Sequence, residues 1–159
     1  AILPESPGSG FLAVYPDWRA WIEMALDEIV ASGRKRPAIL TAWNHGSAES
    51  TLDHLREALG ARGLPQDAYL LQHTPGNDPG WGVHVVSLLA QLPSGKAPDA
   101  LIIADDNLVD QATLAVAQSG LRVPADLAII AHCNYPLVPP SNVPVRRLGF
   151  DVPSILHAC

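Results

Sequence analysis

The chain has 159 residues, 10 Lys and Arg against 16 Asp and Glu, a net charge of −6, and is 48% hydrophobic but only 16% charged. That balance supports one good-sized core, since a chain of this length buries about two-thirds of its unfolded surface, and it argues against two full domains. It excludes intrinsic disorder, because the 15 Pro and 12 Gly fall between apolar segments, and it argues against a nucleic-acid-binding module on its own, which would carry a basic face.

Residues 1–10 read as a flexible lead-in, and Phe11-Leu12-Ala13-Val14-Tyr15 as a short apolar strand. Asp17 is a good N-cap for a helix whose apolar stripe is Trp18, Trp21, Ile22, Ala25, Leu26, Ile29 and Val30, at i, i+3, i+4, i+7 spacing. Gly33 ends it, and Arg34-Lys35-Arg36 reads as a solvated turn at the helix C-terminus. Residues 37–42 form a buried strand. Ser47 can cap a second helix with Ala48, Leu52, Leu55 and Leu59 on its inner face.

Residues 68–73 read as the next strand. Asp78-Pro79 places a cap and an N1 proline ahead of Trp81, Val85, Leu88, Leu89 and Leu92. Residues 100–104 are a strand with almost no polar side chain. Asn107, with Asp110 three residues on, predicts an N-cap for a helix that ends at Gly120. Residues 127–131 are another buried strand. A proline-rich loop leads to an extended stretch over 143–148 and a short helix from about Asp151.

Strands therefore alternate with helices, and the strands are apolar on both faces. Such strands belong in a parallel sheet covered by helices on both sides. Right-handed crossovers then leave a three-layer α/β/α, doubly wound parallel sheet. Ligands bind such sheets beyond the carboxyl ends of the strands. That rule selects four loops, at 43–50, 73–78, 104–107 and 132–135. They hold Trp43, Asn44, His45, Ser47, Glu49, His73, Thr74, Asp105, Asp106, His132, Cys133 and Asn134.

Asp105 and Asp106 are suited to acid–base work or metal binding, and equally to capping a strand-to-helix turn. His45, His73 and His132 each follow a strand, but no HxxxH or HxH spacing brings two imidazoles together, so no metal and no cofactor is expected. Cys133 and His132 are adjacent on a strand exit and project to opposite sides, which does not make a nucleophile pair. There is no GxSxG elbow, P-loop or GxGxxG, and nothing demands an enzyme. No apolar run reaches the ~18–20 residues of a membrane helix. The start is not a signal peptide, and Cys133 and Cys159 form no disulfide framework or CxxC. A cytoplasmic, reduced protein is the expectation.

Several passages resemble the effector-binding core of the LacI/GalR family of bacterial transcription regulators. Pro98-Asp99-Ala100-Leu101-Ile102-Ile103-Ala104-Asp105-Asp106 is similar to the family's "PDAIFAAND". Gly120-Leu121-Arg122-Val123-Pro124-Ala125-Asp126-Leu127-Ala128-Ile129-Ile130 is similar to "GLRVPEDVAVVG". Residues 31–40 resemble "ELGHRRIAFI", residues 47–59 resemble "SARERLEGFREAL", and Pro139-Pro140 with Val145-Arg146 resembles "PPLTTVRQ". The likeness runs over about residues 11–155.

The resemblance implies one subdomain of a type I periplasmic-binding-protein-like fold. Residues 11–145 would be the C-terminal effector-binding subdomain, and 146–159 a crossover and truncated helix belonging to a missing N-terminal subdomain. It implies a small polar effector, a homodimer, and DNA contact only through a headpiece absent from this chain. The implied ligand-binding residues are Trp43, Ser47, Glu49, Thr51, Asp105, Asp106, His132, Cys133 and Asn134. Asp105 stands where the family has Asn, Cys133 where it has an effector-holding Asp, and Thr51 or Glu49 where it has an Arg. Two other functions remain open: a transporter's solute-binding protein of the same fold, and an α/β enzyme using Asp105, Asp106, His132 and Cys133.

Overall fold

The computed structural model describes residues 16–43, 48–75 and 78–158. Helix α1 (Trp18–Ala31) starts at Asp17, whose carboxylate accepts from the Ala20 N–H at 2.9 Å. Its buried face is Trp21, Ile22, Ala25, Leu26 and Ile29. Trp18 and Val30, expected on the same stripe, sit at the two ends of the helix and are 41% and 43% exposed. The strand expected over 11–15 and the cap expected at Ser47 lie outside the described residues.

Strand β1 (Pro37–Trp43) and helix α2 (Ala48–Ala61) follow, then β2 (Leu71–Pro75) and α3 (Pro79–Ala90). Residues 68–70, expected as the start of a strand, form one 3-10 turn instead. Only the second half of that apolar run reaches β1, in the register Ile39 to Leu71. Asp78 caps α3 through the Gly80 N–H, with Pro79 in the first turn, as the sequence predicts. Leu88 faces outward at 66% exposure.

Strand β3 (Ala100–Ile103) is wholly buried. It leads through a 3-10 turn at Asp106–Leu108 into α4 (Val109–Ser119), which Gly120 terminates at φ 76°. A side chain with a Cβ resists that left-handed conformation, so glycine is the natural stop. Asn107, expected to cap that helix, lies inside the 3-10 turn, which Asp105 caps by accepting from the Asn107 N–H; α4 itself starts with no side-chain cap. Strand β4 (Ala128–Tyr135), β5 (Arg146–Asp151) and α5 (Val152–Ala158) complete the chain.

The five strands are all parallel, in the order β2-β1-β3-β4-β5. Helices α1 and α2 cover one face, packing Trp21, Leu26, Ile29, Leu55 and Leu59 onto Ile39, Ile102 and Ile130. Helices α3 and α4 cover the other, with Val85, Val86, Leu89 and Val116 over Leu40, Leu101, Ile103 and Ile129. Each such side chain contributes about 1.5–3 kcal/mol by leaving water. The expected doubly wound three-layer sandwich is the observed fold, and the order reverses between β1 and β3, where such sheets bind ligands.

Two polar ties brace the helices. Arg62, just past the end of α2, pairs with Glu23 at 2.6 Å and Asp27 at 2.7 Å on α1. Arg34, expected in a solvated turn, donates instead to the carbonyls of Pro124 and Ala125, which fastens the end of α1 to the turn before β4.

Candidate functional site

The carboxyl ends of the strands carry the polar residues singled out by sequence. Asp105 ends the extended chain after β3 and accepts from both the main-chain N–H and the side-chain amide of Asn107, each at 2.9 Å. Capping is therefore one role it performs. Asp106 accepts from the Asn134 amide at 2.7 Å and from the Asn107 amide at 3.3 Å. The pair joins the end of β3 to the end of β4, beside the switch point.

Residues 132–135 were expected in a loop. They continue β4 instead, because β5 pairs with them in the register His132 to Leu148 through Tyr135 to Asp151. Strand alternation then sorts their side chains. His132 and Asn134 share the face that α1 covers, and Cys133 and Tyr135 share the other. Cys133 is fully buried, and its hydrogen bond to Tyr135 pushes that phenol's pKa up. The adjacent His132 and Cys133 therefore do not meet, as strand alternation requires. Of the four residues Asp105, Asp106, His132 and Cys133, the Asp105 and Asp106 charges act on His132, while Cys133 faces the opposite side of the sheet.

His132 is 2% exposed. Its ring lies 4.7 Å from that of Trp18, 5.7 Å from Trp21 and 5.6 Å from Phe150, centroid to centroid. Trp21 is itself fixed by its indole N–H, which donates to the Leu148 carbonyl at 2.9 Å. Both His132 ring nitrogens lack a hydrogen-bond partner among the described residues. Burial lowers the imidazole's pKa, and the nearby Asp106 and Asp105 charges oppose that shift with smaller effect. The sequence places Trp18 on the apolar stripe of α1 and does not connect it to His132; no local motif links residues 114 positions apart.

Other expected site residues fall differently. Trp43 ends β1, and Glu49 and Thr51 lie in the first turn of α2; Ser47 and His45 lie outside the described residues. His73, expected after a strand, is within β2 and stands 3.5 Å from the Thr41 hydroxyl. Among the described residues, no group of three or more His, Cys, Asp or Glu is arranged to hold a metal ion, and no helix is long and apolar enough to cross a membrane.

Comparison with known proteins adds the following. Residues 26–152 match the family described as periplasmic binding protein-like domain. No curated protein matches the chain. Among solved structures, a LacI family transcriptional regulator from Lactobacillus casei with bound glucose is similar at TM-score 0.81 and 20% identity, over 97% of this chain and 58% of that one. A regulatory protein of LacI family from Chloroflexus aggregans is similar at TM-score 0.70 and 27% identity, over 82% of this chain and 47% of that one. The Escherichia coli transcriptional repressor ascG is similar at TM-score 0.76 and 19% identity, over 98% and 56%. The chain thus spans about half the length of these proteins.

Proposed function

The chain belongs to the periplasmic binding protein-like domain family, and from that membership we propose that it is the ligand-sensing and dimerisation core of a LacI-like transcription regulator, without catalysis of its own. The observation that carries the reading is the Asp106–Asn134 pair, set at the strand ends beside the switch point. A carboxylate and an amide there suit the hydroxyls of a small polar effector. The 27% identity to a LacI-family regulator over most of the chain supports the regulator branch. The glucose bound by the Lactobacillus casei protein supports a sugar-like ligand.

In this reading residues 11–145 form one wall of the effector cleft, and 146–159 lead toward a second lobe. Ligand held between two lobes favours the closed arrangement through contacts that the open one lacks. Closure then changes the geometry of a homodimer, and so the spacing of DNA-binding headpieces carried elsewhere in the longer protein. Its place of work is the cytoplasm. A gel-shift assay of the full-length gene product on its upstream DNA tests the proposal. A specific operator complex that a ligand strengthens or releases is the expected result, and the absence of any specific complex overturns it. A transporter's solute-binding protein of the same fold would instead show a secretion signal at the start of the gene and no DNA-binding segment.

A further inference from the structure

We infer that the effector carries a protonated amine, which the Asp106 carboxylate and the Trp18–Phe150 aromatic surface receive, and that anionic ligands are rejected. This rests on the effector-binding reading above and sharpens it to a class of ligand.

The charges of the fold are sorted by end. At the carboxyl end of the sheet, in strand-end turns and first helical turns, the described residues include Asp17, Asp78, Asp105, Asp106 and Asp151, against one cation, Arg19. The remaining arginines and lysines lie on the far halves of helices, at the amino ends of strands or in the turns that lead into them, among them Arg34, Arg36, Arg62 and Arg122. Helix N-termini normally offer an α/β sheet its anion site. At three of the described starts that site already holds a carboxylate of the chain itself. The starts of α1, α3 and the turn after β3 are each capped by an aspartate, Asp17, Asp78 and Asp105, whose carboxylates already take the N–H groups. A phosphate or carboxylate brought to these three starts meets the negative charge of the capping aspartate.

Among the described residues Asp106 has no cationic partner. Its partners are the amides of Asn134 and Asn107, which are dipoles and carry no charge. The buried His132, two residues before Asn134 on the same face of β4, is disfavoured as a cation, since burial lowers its pKa. Among the described residues its two ring nitrogens have no hydrogen-bond partner, which leaves polar capacity for a bound molecule. Trp18 lies over that ring and is 41% exposed, with Phe150 5.2 Å away. His132 links the two features: its ring packs on Trp18 and Phe150, and the Asp106 charge acts on it. Exposed aromatic faces and a carboxylate at the same end of the sheet attract an ammonium group and do not attract an anion.

The test is an NMR titration of the 159-residue chain at mildly acidic pH with glucosamine, glucose and glucuronate, which share a ring and differ in charge. The Asn134 side-chain amide and the Trp indole N–H signals report binding. Glucosamine is expected to act at about tenfold lower concentration than glucose, the size of one charge-assisted contact, and glucuronate is expected to leave the signals unmoved. The preference should shrink with added salt and vanish in Asp106→Asn. Should that variant fold poorly, the salt dependence of the wild-type protein decides alone. Equal or tighter binding of glucose, or binding of glucuronate at the same signals, overturns the inference and leaves the effector reading standing. If none of the three moves these signals or alters operator binding by the full-length protein, the effector reading falls and the inference with it.

Discussion

The α-carbon of Gly149 lies against the main-chain carbonyl oxygen of Cys133 across the β4–β5 ladder, with no room between them for a methyl group. A Cβ added there would overlap that oxygen and stand 2.7 Å from the Cys133 sulfur. Neither obstacle is the end of a flexible side chain, so the strands themselves would have to part. Gly149→Ala is therefore expected to destabilise the protein by about 3 kcal/mol or more. Urea unfolding measures it; a midpoint equal to that of the parent would refute the close approach.

His132 predicts the direction of acid sensitivity. Its folded pKa is lowered by burial, so as pH falls through about 6.5 the unfolded chain takes up a proton that the folded chain resists. The unfolded state then binds more protons, and stability falls as pH drops. His132→Phe keeps an aromatic ring among Trp18, Trp21 and Phe150 and removes two unpartnered nitrogens. The variant should be as stable as the parent at pH 7 or more stable by about 1–2 kcal/mol, and its melting temperature should vary less between about pH 6.5 and 5. An unchanged acid slope would count against this assignment.

Asp99 ties together three strands that are distant in sequence. Its carboxylate accepts from the Lys35 and Arg36 N–H groups at 2.9 and 2.8 Å, and its carbonyl accepts from the Ala128 N–H. These bonds set the entry of β1 beside β3 and β4. Asp99→Ala should cost about 2 kcal/mol, as expected for charge-assisted bonds to main-chain donors. Asp99→Asn, which retains an acceptor oxygen, should cost less. Thermal unfolding of the pair gives the order, and equal stabilities would sink the argument.

The Arg122–Asp126 pair offers a second pH test. Its side-chain hydrogen bond, at 2.6 Å, holds the Asp126 carboxyl down to about 2. A carboxylate lowered on folding adds stability that is present above about pH 4 and lost as pH falls toward 2. Both side chains reach solvent, so the clear readout is titration and not melting. Carbon-detected NMR of Asp126 should show it ionised well below the usual carboxylate range, and Arg122→Ala should return it toward that range.

Much of the fold could be read from the sequence because its signals are local. Asp17, Asp78-Pro79 and Gly120 mark helix ends by hydrogen bonds within a few residues, and the apolar runs of β1, β3 and β4 state their burial on both faces. The misreadings have non-local causes. Nothing near residue 132 says that β5 will pair with it and prolong β4. The same long-range pairing brings Phe150 to Trp18 and His132, which hides an imidazole from the sequence reader. Arg34 looked solvated because its carbonyl partners lie about ninety positions away. At the candidate site, Asp105 and Asp106 were legible as strand-end residues, whereas the division of labour between them, one capping and one bridging to Asn134, required the coordinates.

Strand β3 pairs with β4 only as far as Ala131, while β5 accompanies β4 to Tyr135. The last four residues of β4 are therefore half of a two-stranded ribbon that overhangs the central sheet. Narrow ribbons twist more readily than wide sheets, so this overhang is the compliant part of an otherwise stiff slab. Asn134 sits on it, and α5 follows directly from its second strand. Past Ala131, Asn134 is therefore held in the sheet through β5, the strand from which α5 departs.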